Sequence, residues 1–239
     1  MDILHLIDRG LVISHVIFGF TALVLGPVAM LTAKGGPAHR TAGKIYFWGM
    51  AGIFFSTIAL AFFRFSPFLF VINIMSFYAC FIGYRVLYRK RPNKAGQQPT
   101  WLDWLGSSVA LLGGLGFVGW GGLGLLGVPL PGYLAHGVAT VFFVIGLIAG
   151  ALLINNAITD ILSYTRQPTD RNWWWFEHMG HFLGGYIATL TAFLVQNVSV
   201  RMPADMAWIV WVAPALIGSF LIARWVRHYR SKFSLRVAH

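Results

Sequence analysis

Long stretches without a charged residue decide what this sequence can fold into. Residues 11–33, 45–63, 65–84, 105–159, 178–200 and 206–223 contain no Asp, Glu, Lys or Arg. A helix needs about 20 apolar residues to cross the hydrocarbon core of a bilayer. Five of these stretches therefore provide one helix each, and residues 105–159 are long enough for two, with a break at the proline-rich segment GVPLPGY. The sequence predicts seven transmembrane helices.

The rest of the composition favours an all-α integral membrane protein. Only 10% of the residues are charged, whereas soluble domains carry about a quarter, so these residues cannot cover a water-facing surface. The apolar stretches also lack the alternating pattern of a membrane β-barrel. Because no linker divides the chain, we expect residues 1–239 to form a single polytopic transmembrane domain.

The net charge of +11 is explained by the positions of the basic residues. They cluster in residues 34–44, 85–94 and 224–236, which follow the first, third and seventh predicted helices. Short loops rich in Lys and Arg stay on the cytoplasmic side of a membrane. A seven-helix bundle with its N-terminus outside and its C-terminus in the cytoplasm satisfies this rule. The basic residues therefore indicate a bilayer, and no nucleic acid, as the partner of this chain.

Glycines are concentrated in the fourth predicted helix, and small residues four apart recur in GLIAG of the fifth and GHFLG of the sixth. Such spacing lets helix backbones approach closely in lipid. The favoured interpretation is close packing within the bundle. Two alternatives stay open: the glycine-rich faces dock to partner membrane proteins, or they leave room for a flat cofactor.

Two histidines are predicted to lie at one depth near the outer side. His15 is four residues into the first apolar stretch, and His136 is four residues after Gly132, where the fifth helix is expected to begin. At 1.5 Å per residue, both lie about 6 Å below the outer edge. Imidazoles at one level on two helices can face each other, so we treat His15 and His136 as an outer pair.

A second group of ionisable residues is predicted at the inner side. His178 and His181 open the sixth helix, and a spacing of three places them on one face. His39 lies on a loop that faces the same boundary, and Glu177 and Asp160 add carboxylates there. Ionisable groups are costly to bury in a membrane, so each is a candidate for function.

These two groups suit either of two cofactors. Haem b with bis-imidazole ligation needs one histidine on each side of a flat ring, so two layers of histidines would hold two haems and pass electrons across the membrane. The other cofactor is a single transition-metal ion, held by the inner histidines with Glu177 or Asp160 as a ligand or orienting partner. A plainer alternative is that the histidines cap helices or bind lipid head groups and that Asp160 pairs with Arg166.

Membrane electron transfer is accordingly the function we expect from the sequence. The alternatives are a non-catalytic subunit or scaffold of a larger complex, and a transporter of a small molecule or lipid with a cavity lined by Asn155, Asn156 and Asp160. The sequence contains no hydrolase motif and no phosphate-binding loop, so it leaves open whether the protein is an enzyme. Cys80 is the single cysteine, which excludes an intramolecular disulfide.

Two segments resemble an uncharacterised family of bacterial integral membrane proteins. They are SHVIFGFTALVLGPVAML, residues 14–31, and AHRTAGKIYFWGM, residues 38–50. That family has a first-helix histidine, a Gly-Pro at the helix end and a His-Arg-x-x-Gly-[Lys/Arg]-x-Tyr loop. The matching residues are His15, Gly26, Pro27, His39, Arg40, Gly43, Lys44 and Tyr46. The family's later His-Arg-x-Trp-Met segment is replaced here by FEHMGHFLGGYIATLTAF. The resemblance implies a bacterial inner-membrane protein with histidines at two depths, and it brings no established activity.

Overall fold

The chain is all-helical in a computed structural model that describes residues 3–128, 138–166, 168–203 and 206–235. Within these ranges there are seven long helices and no β-strand, and each helix is long and apolar enough to cross a membrane. The helices are α1 (Ile3–Leu31), α2 (Pro37–Ala61), α3 (Pro67–Arg85), α4 (Trp101–Leu125), α5 (Val138–Thr165), α6 (Trp173–Asn197) and α7 (Trp208–Leu235). Short 3-10 helices follow α3 and α6, at Val86–Tyr88 and Ser199–Arg201.

The outer surface of the bundle is apolar, as a lipid-facing surface must be. Large apolar side chains are exposed on α1, α2, α4, α5, α6 and α7, including Phe20, Phe55 and Leu216, whereas the described side chains of α3 are buried or partly buried. A water-soluble protein of this size would not expose apolar patches of that extent. The predictions of an all-helical fold and an integral membrane protein are confirmed, with seven candidate spans in the described residues.

Two helix boundaries illustrate how the ends of the spans are set. Helix α1 is described from Ile3, before the uncharged stretch that begins at residue 11, and it includes Asp8, whose carboxylate forms an ion pair with Arg64 just beyond the end of α2. At the other boundary, α4 ends before Gly127, whose φ of 79° lies in the left-handed region that glycine adopts without strain.

Helices α3 and α6 pack against each other and connect the other helices. Helix α1 packs on α2 and α6, α7 packs on α6, and α4 and α5 pack on each other and on α3. Since consecutive helices run in opposite directions, the ends of α1, α3, α5 and α7 lie with the beginnings of α2, α4 and α6. We call this the basic end, because it carries Lys34, Arg85, Arg89, Arg166 and Arg224.

The α4–α5 interface is the closest backbone contact in the described bundle. A Cβ added at Gly121 would lie 2.6 Å from the carbonyl oxygen of Phe143, and one added at Gly150 would lie 2.8 Å from that of Gly114. Gly124 lies beneath the Phe143 ring. Close packing is confirmed for Gly121, Gly124 and Gly150, where the facing helix fills the space that a flat cofactor would need. It is not confirmed for GHFLG of α6, because a Cβ at Gly180 or Gly184 would meet no atom within 4 Å.

A second tight contact joins α1, α2 and α6. The ring of Tyr186 occupies the space of a side chain at Gly26, and Tyr46 packs beside it together with the buried Cys80. Pro27 lies inside α1, which continues to Leu31, so the helix does not end at the Gly-Pro pair as the resemblance implies. Interior prolines are tolerated in membrane helices because neighbouring groups satisfy the freed backbone atoms.

Candidate metal centre

Two carboxylates and one imidazole converge near the basic end, between α5 and α6. Glu177 and His181 lie one turn apart on α6, and Asp160 faces them from the last turns of α5. Nε2 of His181 lies 3.5 Å from Oδ1 of Asp160 and 3.4 Å from Oε2 of Glu177. One ligand atom from each residue lies within 4.8 Å of the other two. We call these three residues the triad.

The triad brings two carboxylates to one imidazole. Nε2 of His181 carries at most one proton and therefore cannot donate a good hydrogen bond to both carboxylates. Even with a protonated imidazole, two carboxylates leave a net negative charge. The Asp160 side chain is 7% exposed, and a carboxylate buried that deeply needs a compensating charge. The Glu177 side chain is 46% exposed, so the triad opens towards the boundary, where an ion can enter.

A chain of hydroxyl groups holds the second oxygen of Asp160. The Tyr78 hydroxyl donates to Oδ2 of Asp160 at 2.6 Å, and Ser107 Oγ lies 3.1 Å from that hydroxyl. Ser107 Oγ is in turn 2.7 Å from the Tyr164 hydroxyl. Because the one proton of Tyr78 points at Asp160, Tyr78 can only accept from Ser107. At the other end of the chain the Tyr164 hydroxyl donates to the backbone carbonyl of Asp103 at 3.3 Å, so the three hydroxyl groups link Asp160 to the beginning of α4.

A buried ion-pair cluster lies directly beyond this chain. Asp103, 0% exposed on the first turn of α4, binds Arg85 through both carboxylate oxygens at 3.1 and 2.7 Å. It also lies 3.3 Å from Arg89 and accepts bonds from the backbone and hydroxyl of Thr100. The guanidinium of Arg89 covers the ring of Tyr164 at 4.5 Å. This cluster fixes the end of α3 against the beginning of α4, and so it positions the hydroxyl chain.

His39 and His178 form a separate pair beside the triad. Their ring centroids are 6.3 Å apart. Nδ1 of His39 lies 2.9 Å from the carbonyl oxygen of Ala29, and Nδ1 of His178 lies 2.8 Å from that of Gly83. A carbonyl oxygen only accepts, so both Nδ1 atoms carry the proton, and both Nε2 atoms keep a lone pair in the neutral ring. Metal-binding histidines usually have this arrangement.

The crossing of α3 and α6 explains why His178 and His181 face different partners. A side chain at Gly83 would lie 2.7 Å from the Phe182 ring and 3.0 Å from Cβ of His181. The absence of a side chain there lets α6 lie directly on α3. His178 then reaches the Gly83 carbonyl on one side of the crossing, while His181 reaches Asp160 on the other.

The outer pair is described only in part. Nδ1 of His15 lies 3.0 Å from Ser56 Oγ, whose own proton is donated to the Gly52 carbonyl at 2.7 Å. His15 is thus the donor, and its Nε2 keeps a lone pair. It lies about 10 Å along α1 from the Asp8 ion pair. His136 lies outside the described residues, so the proposed pairing of His15 with His136 stays a prediction.

The structure corrects several details of the sequence-based site. His39, His178 and His181 do not share one set of ligand atoms: the first two pair with each other, and His181 joins the carboxylates. Asp160 pairs with His181, while Arg166 is exposed at the end of α5. The other basic residues near the inner group, Arg40, Lys44 and Arg171, are also exposed.

The three residues that suggested a transporter cavity differ in burial. Asn155 and Asn156 are exposed on α5, whereas Asp160, one helical turn after Asn156, is buried. A cavity of about 550 Å³ does lie between α6 and α7 near the end of α1, where Met30, Tyr186 and Trp225 line part of it. Its lining contains no carboxylate and no imidazole, so it is separate from the triad.

Sequence reasoning missed the hydroxyl chain and the Asp103 cluster. Tyr78 and Ser107 sit inside apolar stretches, where single hydroxyl groups do not interrupt the hydropathy pattern. One signal was present: Thr100 and Asp103 have the spacing of a capping box, which the structure contains at the beginning of α4.

No family model, curated protein or solved structure matches this chain. The resemblance to the bacterial membrane family therefore stays a prediction.

Proposed function

We propose that this protein is a multi-pass membrane metalloprotein that binds one divalent transition-metal ion at Asp160, Glu177 and His181. The convergence of the three ligand atoms carries the proposal. Metal–ligand bonds of about 2.0–2.2 Å put neighbouring ligand atoms of a tetrahedral site about 3.4 Å apart. The two distances from Nε2 of His181 are 3.5 and 3.4 Å, so little movement is needed to admit an ion.

The surroundings of the triad also support an ion. Ligating carboxylates in metal sites are themselves hydrogen-bonded, and the Tyr78 hydroxyl holds the oxygen of Asp160 that faces away from His181. Two carboxylates and one imidazole are a mixed oxygen and nitrogen set, which suits iron, manganese or zinc better than a soft metal. Three protein ligands leave at least one position for water or a substrate.

Electron transfer is the role we propose for this ion, with iron or manganese as the metal. The haem alternative has one observation in its favour. Bis-imidazole ligation needs two neighbouring imidazoles whose ligating nitrogens are free of protons. The ring centroids of His39 and His178 are 6.3 Å apart, and each ring uses Nδ1 for a backbone carbonyl, which leaves Nε2 with a lone pair.

Metal analysis of the purified full-length protein tests the proposal. After dialysis against Fe²⁺, Mn²⁺ or Zn²⁺ and then against metal-free buffer, we expect about one metal ion per chain. Replacing a ligand, as in His181→Gln or Asp160→Asn, should weaken binding about 100-fold, since the loss of an outer-shell partner alone costs about 10- to 100-fold. Loss of metal from both variants would identify the triad as the site.

Matched controls separate the triad from other ionisable residues. His228→Gln and Asp170→Asn change the same residue types at exposed positions, and they should retain the metal. A wild-type protein that keeps no metal, or variants that keep as much as wild type, would contradict the proposal. A haem absorption spectrum that disappears in His39→Ala or His178→Ala would favour haem instead.

We also propose a bacterial inner membrane as the location, with the N-terminus outside and the C-terminus in the cytoplasm. The grouping of Lys34, Arg85 and Arg224 at one end of the bundle supports this orientation through the positive-inside rule. The triad would then open towards the cytoplasm. A reporter protein that functions only in the cytoplasm should be active when it is fused after His239. A reporter that functions only outside the cytoplasm should be inactive at the same position.

A further inference from the structure

One face of α5 carries a polar group where the bilayer offers it no partner. Asn155 is exposed about 15 Å from the end of α5 at Thr165, which is about half of the ~30 Å thickness of the hydrocarbon core. In the described residues its side-chain amide makes no hydrogen bond. An amide without a partner is costly in hydrocarbon. The described part of the chain leaves this amide open to a partner on the same face of α5.

The residues around Asn155 form a regular seam. Exposed side chains recur at alternating spacings of four and three, which is the heptad spacing of helices that pack along their length. They are Ile148, Leu152, Asn155, Thr159 and Leu162. Thr159 donates its hydroxyl to the Asn155 carbonyl, so its outward atoms are largely apolar. The seam is thus apolar apart from the Asn155 amide, and Asn156 lies on its flank. Helices α4 and α3 pack elsewhere on α5 and leave this face open.

From this seam we infer that the protein is a homodimer in which α5 packs against α5 of a second copy. All copies insert in the same orientation, so a two-fold axis along the membrane normal places each residue near the axis opposite itself. An asparagine amide has both donors and an acceptor, so two Asn155 side chains can satisfy each other. A single asparagine in such a seam also fixes register and oligomeric state. This inference is independent of the metal.

Association of full-length protein in lipid vesicles tests the dimer. A fluorescent label fused after His239 allows single-molecule photobleaching counts and energy transfer over a range of protein-to-lipid ratios. We expect wild type to be dimeric at ratios where Asn155→Leu is largely monomeric. The substitution should weaken the dimer about 5- to 30-fold, the range that interhelical hydrogen bonds give in model peptides. Since leucine suits a lipid-facing site, folding should be preserved, with helix content and thermal melting as checks.

A matched pair of leucines localises the interface. Leu152→Ala removes a seam side chain and should also weaken the dimer, whereas Leu216→Ala, at an exposed position of α7, should leave it unchanged. A wild-type chain that stays monomeric at every ratio would overturn the inference, and so would a dimer that tolerates Asn155→Leu. A dimer weakened by Leu216→Ala and not by Leu152→Ala would assign the interface to α7 and overturn it as well.

Discussion

Replacing Asp103 by leucine should lower the free energy of unfolding of this protein more than any other single substitution at the basic end. The substitution leaves the guanidinium groups of Arg85 and Arg89 beside each other without their carboxylate, and the Arg89 side chain is only 3% exposed. Removing one partner of a buried ion pair costs about 3–5 kcal/mol. It also removes the hydrogen bonds that cap the beginning of α4 at Thr100. The free energy of unfolding in detergent, from a denaturant titration, is the measurement.

A second variant, Asp103→Asn, tests how much of the effect is due to the charge of Asp103. The amide keeps the shape and one acceptor oxygen but loses the charge. The free energy of unfolding of Asp103→Asn should therefore lie between that of wild type and that of Asp103→Leu. At an exposed carboxylate that accepts one hydrogen bond from the Asn172 backbone, Asp170→Leu should cost only about 1 kcal/mol. If Asp103→Leu were as stable as wild type, the Asp103 cluster would not hold α3 and α4 together.

Two neighbouring glycines of α4 should respond in opposite ways to one substitution. In Gly121→Leu the new Cβ would lie 2.6 Å from the Phe143 carbonyl oxygen and 3.0 Å from the Leu147 backbone nitrogen. Neither backbone atom can move without separating α4 from α5. We expect a loss of about 3 kcal/mol, at the upper end of the usual cost of overpacking, and a lower melting temperature in detergent.

Gly122→Leu provides the control at the next position. A Cβ there meets no atom within 4 Å. Leucine also has a higher helix propensity than glycine by about 0.8 kcal/mol, so this variant should be as stable as wild type or slightly more stable. Equal melting temperatures for the two variants would show that α4 and α5 do not approach as closely as Gly121 and Gly150 indicate.

Most of the fold was predictable because a membrane imposes one simple requirement on each span. The uncharged stretches predicted the seven helices, and the glycine spacing predicted the close packing of α4 on α5. The beginning of α1 was not predictable, because Asp8 is accommodated by Arg64, a partner 56 residues away. A scan for uncharged residues stops at Arg9, which is exposed, before it reaches Asp8, and it has no means of detecting a distant countercharge.

The sequence indicated which residues belong to the candidate site, but it did not indicate which of them lie together. Glu177 and His181 share a face of α6 through helical spacing alone. The separation of His178 from His181 depends on how α6 crosses α3 at Gly83, which is set by packing and not by spacing. The hydroxyl chain of Tyr78, Ser107 and Tyr164 joins three helices, so no local pattern could have predicted it.

The buried position of Cys80 makes its thiol a reporter of the native core. Its sulfur lies 3.5 Å from the Tyr46 hydroxyl and is closed off from the surface, so alkylating reagents should modify it only when α2, α3 and α6 separate. Since the chain has no other cysteine, the modification rate of the wild-type protein measures how often that region opens. The same property lets a maleimide probe attached to an introduced surface cysteine label that site alone.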